Sequence, residues 1–362
     1  MKIQRLQLEN FKGIRRLDLD LNGQSALILG ENGTGKSAIL EALCFLSWNW
    51  INRLNPVQST GFKSLQENLI YQGADRMSIE ADFLLGGHLF PLKKACSRKS
   101  PDHSVRIEAN KKLTDRFLSG PGGYLECCQN EEQGLSLFVY YGANRFVHNI
   151  SLEARSDFAF DKWAALERSI ESRQDFRTFF EWFRNQEDYE AEVMREKQDL
   201  NFRDPALECV RHAVETLLPG FHDLQVKRSP LRMTIKKNGQ EFSLDQLSDG
   251  EKYTLAWIGD LAHRLALANP QLENPLEGDG IVLIDELEQH LSPSWQRKIL
   301  PTLEKTFPNI QFLITTQSSI LPETAGEEDQ VFLLEDKEGI IQAREIRQKD
   351  EFCSDSICSQ FS

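Results

Sequence analysis

The sequence contains no long apolar run, and cysteines at metal-ligand spacing are limited to Cys353 and Cys358, for which free thiols are the other interpretation. Its seven cysteines are odd in number and include no C-x-x-C pair, so neither a disulfide framework nor a zinc site is predicted. No apolar stretch approaches the roughly 20 residues of a membrane-spanning helix. The first residues, MKIQRLQLENF, lack the apolar segment of a signal peptide. We therefore expect a cytoplasmic protein with free thiols and no membrane partner.

Basic residues are fewer than acidic residues. The 42 Lys and Arg residues are outnumbered by 55 Asp and Glu residues, and the net charge is −13. This balance argues against a surface that coats nucleic acid indiscriminately. A local basic groove remains open, because basic residues occur as neighbours at Lys93-Lys94, Arg98-Lys99, Lys111-Lys112 and Lys227-Arg228. Solvated strand faces are the other interpretation of these pairs.

The stretch at 27–43, LILGENGTGKSAILEAL, has the pattern of a phosphate-binding loop. A short apolar run ends at Gly30, and the G-x-x-x-x-G-K-[ST] spacing continues through Gly35, Lys36 and Ser37 into a helical pattern. Glycines let successive backbone N–H groups point at a polyphosphate, and the helix N-terminus favours the same anion. The candidate nucleotide-binding residues are Gly30, Asn32, Gly33, Thr34, Gly35, Lys36, Ser37 and Ala38.

Within this loop, Lys36 would supply a charge for the β- and γ-phosphates, and Ser37 a hydroxyl for Mg²⁺. A second strong pattern is GIVLIDE at 280–286, an apolar strand that ends in two carboxylates. Such a strand is typical of the centre of a parallel sheet, so Asp285 and Glu286 emerge at the edge where ligands bind. Asp285 is then a candidate for holding Mg²⁺, and Glu286 for accepting a proton from the attacking water.

A third pattern lies in LDQLSDGEKYTLAWIGDLAHRLALA at 244–268. Ser248 and Glu251 have capping-box spacing before a long helix. On its own this pattern fits a well-capped helix equally well. The strand IQFLITTQS at 310–318 would place Thr316, Gln317 and Ser318 beside the carboxylates at 285 and 286.

The remaining patterns indicate an α/β protein with a mainly parallel central sheet, an N-terminal antiparallel sheet and a short helical insertion. Alternating residues predict a hairpin at 2–9 and 15–21, and further strands at 76–110 extend its sheet. The predicted segments are an N-terminal lobe (1–156), the insertion (157–220), a C-terminal lobe (221–350) and a loosely ordered tail (351–362). Aromatic residues near the end of the first helix, Phe45, Trp48 and Trp50, could stack on a base or pack on the helix face.

The phosphate loop, LSDGE, LIDE and TTQS occur in an order that resembles the ABC-type ATPase heads of the SMC and RecF-like superfamily. The sequence from FFEWF to FPNIQFLITTQS is similar to that of small bacterial ATPases of this type. These include the PtuA ATPases of Septu antiphage systems, retron-associated ATPases and relatives of the overcoming-lysogenization-defect proteins. The resemblance covers nearly the whole chain. It implies ATP and Mg²⁺ as cofactors.

The resemblance further implies a composite site in which ATP is held between two protomers. The loop and carboxylates of one protomer would face Ser248, Asp249, Gly250 and Glu251 of the other. Lys12 matches a basic position that contacts the nucleotide in such heads. Asn144, or its neighbour Arg145, would replace the Q-loop glutamine as a metal ligand.

One departure from the family pattern concerns the switch histidine, which is Gln317 in this sequence. An amide can hydrogen-bond a γ-phosphate or water but cannot become cationic, so turnover is expected to be slow. The catalytic candidates are thus Glu286, Gln317 and Lys36.

The resemblance leads us to expect the ATPase subunit of a prokaryotic antiviral defence system. It would form a dimer or a higher oligomer and control a separately encoded nuclease of the HNH type. The alternative is a RecF-like DNA-repair ATPase that binds duplex ends or junctions. A third interpretation is a nucleotide-gated scaffold without meaningful hydrolysis.

Overall fold

A computed structural model describes residues 1–54, 65–99, 104–129, 134–143, 161–171, 176–337 and 340–346. Over these residues the strands are β1 (Lys2–Phe11), β2 (Ile14–Asp20), β3 (Ala26–Gly30), β4 (Arg76–Leu85), β5 (His88–Lys99), β6 (Ser104–Ala109), β7 (Leu137–Tyr141), β8 (Phe221–Arg228), β9 (Leu231–Lys237), β10 (Gln240–Ser243), β11 (Gly280–Ile284), β12 (Ile310–Thr316), β13 (Gln330–Lys337) and β14 (Ile340–Ile346). The helices are α1 (Lys36–Leu54), α2 (Lys111–Ser119), α3 (Tyr124–Gln129), α4 (Phe176–Lys197), α5 (Pro205–Leu217), α6 (Asp249–Ala268), α7 (Pro293–Thr306) and α8 (Ile320–Thr324). None of them, over the described ranges, is long and apolar enough to cross a bilayer.

The central sheet has six strands in the order β14-β13-β3-β12-β11-β7. All neighbouring pairs are parallel except β13 and β14, which are antiparallel. Every residue of β3, β7, β11 and β12 is buried, as expected for parallel strands covered on both faces. The prediction of an α/β fold with a mainly parallel central sheet is therefore confirmed.

Two antiparallel sheets accompany the central one. The first has the order β2-β1-β4-β5-β6, which confirms that the strands at 76–110 extend the N-terminal hairpin. The second has the order β10-β9-β8. The sequence did not predict β10, because three of its four residues are polar and none of the four is fully buried. Lys111 and Lys112, which were interpreted as part of a strand face, lie in α2 instead.

Helix α1 packs between the central sheet and the N-terminal sheet, where its aromatic residues are core residues. Trp50 is fully buried, with its ring centroid 4.9 Å from that of Tyr124 and 5.3 Å from that of Phe117. Phe45 is also buried, and its ring meets that of Phe11 edge-on at 6.1 Å. Of the two interpretations of these aromatics, packing on the helix face is therefore the correct one for both residues.

The aromatic side chains of α4 anchor it on α6. Its four phenylalanines are all buried: Phe176, Phe179, Phe180 and Phe183. Gly259 of α6 makes room for Phe179, since a Cβ atom at Gly259 would lie 2.8 Å from Phe179 Cζ. The division of the chain at 156, 220 and 350 stays a prediction, and the central sheet takes strands from both sides of the predicted insertion. The tail at 351–362 lies outside the described residues.

Lys94 on β5 is a buried lysine with no carboxylate at ion-pair distance among the described residues. Its ammonium donates to the carbonyl of Phe45 at 2.9 Å and to Asn49 Oδ1 at 3.4 Å. Burial lowers the pKa of Lys94 from its ordinary 10.5 to about 8. The unfolded chain therefore binds more protons than the folded chain between these two pH values, and stability rises with pH through that window.

We expect Lys94→Met to raise the free energy of unfolding by about 1–2 kcal/mol at pH 7, because a thioether needs no hydration. The gain should shrink as the pH rises from about 8 to 10.5 and vanish above that range, where the lysine is neutral in both states. Urea unfolding of the wild type and the variant at pH 7 and pH 10 measures the gain and its decrease with pH. Lys93→Met is the matched control: Lys93 is exposed and paired with Glu80, so its loss should change stability by less than about 0.5 kcal/mol. A less stable Lys94→Met protein at pH 7 would contradict the argument.

Candidate functional site

The loop between β3 and α1 has a backbone that requires glycine at specific positions. Gly33 and Gly35 have φ values of +88° and +87°, in the left-handed region. At Gly35 the space is limiting as well, since a Cβ atom would lie 3.1 Å from Ile14 Cγ1. Asn32 and Gly33 are exposed, and an added Cβ at Gly33 would meet nothing within 4 Å. The loop therefore presents exposed backbone at the N-terminus of α1, which fits a polyphosphate.

Other candidates in the loop have structural contacts. The hydroxyl of Thr34 donates to the carbonyl of Glu31 at 2.9 Å and closes the loop on itself. Ala38 is buried in the first turn of α1. Gly30 ends β3, where a Cβ would lie 2.6 Å from Thr34 Oγ1. These residues shape the loop, while Asn32 and Gly33 form its open side.

Lys36 is 5% exposed, and its ammonium folds back onto the loop. It donates to the carbonyls of Gly30 at 2.6 Å and Glu31 at 2.8 Å. Burial lowers the pKa of Lys36, and the charges of Glu286, Glu288 and Asp285 partly offset that effect. The positive charge of Lys36 therefore faces a group of carboxylates across the edge of the central sheet.

Asp285 follows β11 and lies next to the first turn of α1. Its Oδ1 accepts hydrogen bonds from the hydroxyl of Ser37 at 3.0 Å and from the hydroxyl of Thr315 at 2.6 Å. The two predicted Mg²⁺ ligands, Ser37 and Asp285, are thus brought together from positions far apart in the sequence. An alcohol and a carboxylate are oxygen ligands of the kind that Mg²⁺ prefers. Across the described residues there is no cluster of three or more His, Cys, Asp or Glu that could hold a metal by itself.

Glu286 adopts a backbone conformation that is uncommon for a residue with a side chain, with φ of +50°. Its Oε1 accepts a hydrogen bond from Gln317 Nε2 at 3.1 Å. The prediction that Gln317 lies beside the carboxylates is confirmed. The hydroxyl of Thr316 accepts the backbone N–H of Ser318, and the Thr316 side chain is also a hydrogen-bonding neighbour of the Glu288 carboxylate.

Glu288 belongs to the same group but was not selected from the sequence as a site residue. Its Oε1 accepts the backbone N–H of Gln317 at 2.7 Å, while its Oε2 has no hydrogen-bond partner in the described parts of the chain. Burial raises the pKa of Glu288. The sequence feature that could have identified Glu288 is its position two residues after Glu286, in the turn that leaves the sheet edge.

The predicted capping box at the start of α6 is present. Ser248 Oγ accepts the N–H of Glu251 at 3.4 Å, and Glu251 Oε2 accepts the N–H of Ser248 at 3.0 Å. Ser248 and Asp249 are exposed. Gly250 packs tightly on the turn after β11, since a Cβ there would lie 2.4 Å from the carbonyl oxygen of His290. No hydrogen bond or ion pair between described residues joins 248–251 to the loop at 30–38 of the same chain.

The structure does not test the roles that the family resemblance implies for Lys12 and Asn144. The ammonium of Lys12 forms an ion pair with Glu41 on α1, and its backbone N–H donates to the carbonyl of Leu69. Lys12 therefore lies beside the helix that follows the loop, and its role toward a nucleotide stays a prediction. Asn144 and Arg145 lie outside the described residues.

The basic clusters noted in the sequence are largely paired with acids. The partners are Glu80 for Lys93, Glu67 for Arg98, Glu241 for Lys227, and Glu187 and Asp188 for Arg228. Lys94 is buried. Lys111 and Lys112 are exposed on α2. Because acids neutralise most of the other clustered basic residues, the DNA-binding alternative is weakened.

Comparison with known proteins gives consistent matches. An AAA domain family model matches residues 5–208, more than half of the chain, and a second AAA domain model matches residues 141–321. The chain is 30% identical to the Retron Ec83 probable ATPase of Escherichia coli, over 88% of this chain and 69% of that protein. It is 23% identical to the Septu protein PtuA of Bacillus mycoides (strain KBAB4), over 93% of this chain and 41% of that protein.

Solved structures support the same fold. The head of an SMC protein bound to the C-winged helix domain of ScpA matches with a TM-score of 0.58 at 14% identity, over 98% of this chain and 100% of that chain. The SMC head domain from Thermotoga maritima matches with a TM-score of 0.51 at 17% identity, over 96% and 99%. The fold is therefore that of an SMC-type ATPase head.

Proposed function

Since the chain belongs to the AAA domain family, we propose that it binds ATP with Mg²⁺ and hydrolyses it in a site shared between two copies of the chain. The observation that carries the proposal is the meeting of Lys36, Ser37, Asp285, Glu286 and Gln317 at one edge of the central sheet. They come from α1 and from the ends of β11 and β12. Their contacts with one another and with the loop are those expected of a site that binds phosphate, holds a metal and activates water.

Each side chain has a task that follows from its chemistry. The ammonium of Lys36 would exchange the carbonyls of Gly30 and Glu31 for phosphate oxygens, which are stronger acceptors. Ser37 and Asp285 would hold Mg²⁺, which supplies charge neutralisation for the phosphates. Glu286 would accept the proton of the attacking water, and the amide of Gln317 would fix the orientation of that carboxylate.

We propose that turnover is slow because of Gln317. An amide donates to Glu286 in the structure, but it carries no positive charge in any protonation state. A histidine at this place could be cationic and stabilise charge that develops on the γ-phosphate. The proposed enzyme would therefore change its state when nucleotide binds, and would not act through rapid cycles of hydrolysis.

The second copy of the chain would complete the site with Ser248, Asp249 and Gly250. These residues form the exposed N-terminus of a 20-residue helix, where unpaired N–H groups and the helix dipole favour an anion. Among the described residues, no hydrogen bond or ion pair joins them to the loop of their own chain. A symmetric dimer would contain two such sites, each built from both chains. We further propose that 157–220 is a helical insertion between the two segments that build the site.

Mixing two inactive variants tests the shared site. Lys36→Met and Ser248→Arg should each abolish hydrolysis, because every homodimer then has two defective sites. In a heterodimer one site is intact and the other carries both changes. An equimolar mixture should thus recover about one quarter of the wild-type rate, since half of the dimers are mixed. Steady-state phosphate release measures this recovery.

Ser243→Arg is the control for the loss of a cap, because Ser243 forms a similar capping box just before α6. It should keep the wild-type rate. Full activity in Ser248→Arg, or no recovery in the mixture when each variant is folded, would reject the shared site and leave an ATPase that acts within one chain. No hydrolysis by the wild type with Mg²⁺ would reject the enzyme.

We propose that this ATPase serves in defence against phage and controls a separately encoded nuclease of the HNH type. The support is the similarity to a retron ATPase and to Septu PtuA over most of the chain. Cleavage of DNA by the purified protein alone would contradict a separate effector.

The RecF-like alternative rests on matches to about a third of the chain and lacks a basic groove among the described residues. Strongly salt-dependent DNA binding by the purified dimer would favour it.

A further inference from the structure

Thr315, the penultimate residue of β12, connects the two carboxylates of the candidate site. It is fully buried, and its hydroxyl lies 2.6 Å from Asp285 Oδ1 and 2.9 Å from the backbone nitrogen of Glu286. Its backbone carbonyl accepts the N–H of Leu287 at 3.2 Å. One residue on β12 therefore contacts three consecutive residues after β11.

The directions of these hydrogen bonds follow from the donors available. The N–H of Glu286 can only donate, so the Thr315 oxygen accepts it. The single hydroxyl proton of Thr315 then points to Asp285, whose ionised carboxylate can only accept. Oδ1 of the same carboxylate accepts the hydroxyl of Ser37 at 3.0 Å. Thr315 and Ser37 thus hold one oxygen of Asp285 from two sides.

The backbone at Glu286 needs such support. Its φ of +50° lies in the left-handed region, which costs on the order of 1 kcal/mol for a residue with a Cβ atom. The N–H of Asp285 bonds to the carbonyl of Tyr141 on one neighbouring strand, and the next two N–H groups bond to Thr315 on the other. This turn determines where the Glu286 side chain lies, and so its contact with Gln317.

We propose that Thr315 is a positioning residue for ATP hydrolysis, which orients the carboxylate of Asp285 toward the metal and keeps the turn at Glu286 in its left-handed conformation. This inference rests on the proposed function. It concerns a side chain in a wholly buried strand, which would otherwise be regarded as a core residue.

Thr315→Val tests the inference, because valine has nearly the same shape but neither donates nor accepts. Groups that orient metal ligands are worth about 10–100-fold in metal affinity or activity. We expect kcat to fall by about that factor, with the KM for ATP changed by less than about 3-fold. The Mg²⁺ concentration that half-saturates the binding of a fluorescent methylanthraniloyl-ATP should rise about 10-fold. Binding of the same probe without Mg²⁺ should be unchanged.

Two further variants separate positioning from packing. Thr315→Ser keeps the hydroxyl and should restore kcat and the Mg²⁺ midpoint to within about 3-fold of wild type. Thr234→Val makes the same substitution at a buried threonine of β9 whose hydroxyl has no hydrogen-bond partner within the described residues, and it should leave both quantities unchanged.

The inference is overturned if Thr315→Val keeps the wild-type kcat and Mg²⁺ midpoint, or if Thr315→Ser is as impaired as Thr315→Val. A wild-type protein that binds the probe with Mg²⁺ but hydrolyses no ATP would reject the proposed function instead. The Mg²⁺ midpoint of probe binding would still test the role of Thr315 in that case.

Discussion

Glu286→Gln should lower kcat for ATP hydrolysis by about 10²–10⁴-fold, the usual contribution of a general base. The amide has nearly the shape of the carboxylate but cannot accept the proton of the attacking water. The loop at 30–38 is unaltered, so ATP should bind as tightly as to the wild type. Because hydrolysis would no longer separate the two copies, we also expect an ATP-dependent dimer that persists on size-exclusion chromatography.

Glu277→Gln is the control for this variant. Glu277 is exposed and lies before the opposite end of β11, so its replacement should leave kcat unchanged. Wild-type turnover that disappears in Glu286→Gln would exclude a scaffold without hydrolysis. Turnover at the wild-type rate in Glu286→Gln would show that another group accepts the proton.

Lys36→Met should weaken ATP binding about 100-fold, or about 2.7 kcal/mol. The ammonium donates to two carbonyls of the loop, and a charged hydrogen bond to phosphate is of this strength. The protein without nucleotide should not lose stability. Burial lowers the pKa of Lys36, so the charged form is disfavoured in the folded state and its removal relieves that cost at neutral pH.

Titration with methylanthraniloyl-ATP measures the affinity, and urea unfolding measures the stability. Lys94→Met is a matched control, because it replaces a second buried lysine whose pKa is also lowered, away from the loop. It should bind ATP with wild-type affinity. Equal losses of affinity in both variants would mean that the effect of Lys36→Met is a general consequence of removing a buried charge.

The parts of the site that depend on local sequence could be predicted. The loop at 30–37 has glycines where the structure has positive φ angles, and the capping box at Ser248 and Glu251 forms as its spacing indicates. The all-apolar run before Asp285 forms a central parallel strand. In each case the pattern reflects a constraint that acts over a few residues.

Long-range relationships were harder to predict. Thr315 belongs to a run of seven buried residues, and only the pairing of β12 beside β11 shows that its hydroxyl meets Asp285. The acids that pair with the basic clusters come from other strands and helices, so charge along the sequence could not decide between a basic groove and solvated strand faces. Strand β10 was missed because a polar edge strand has no alternating pattern.

The position of β3 in the central sheet also bears on how the protein is made. Its two neighbours, β12 and β13, are synthesised almost 300 residues after it. On the ribosome, the strand that carries the phosphate loop must therefore wait unpaired until nearly the whole chain has emerged. Pairing over such a distance slows folding. It also means that a chain terminated before β12 lacks Thr315 and cannot form the contact between Thr315 and Asp285 beside the loop.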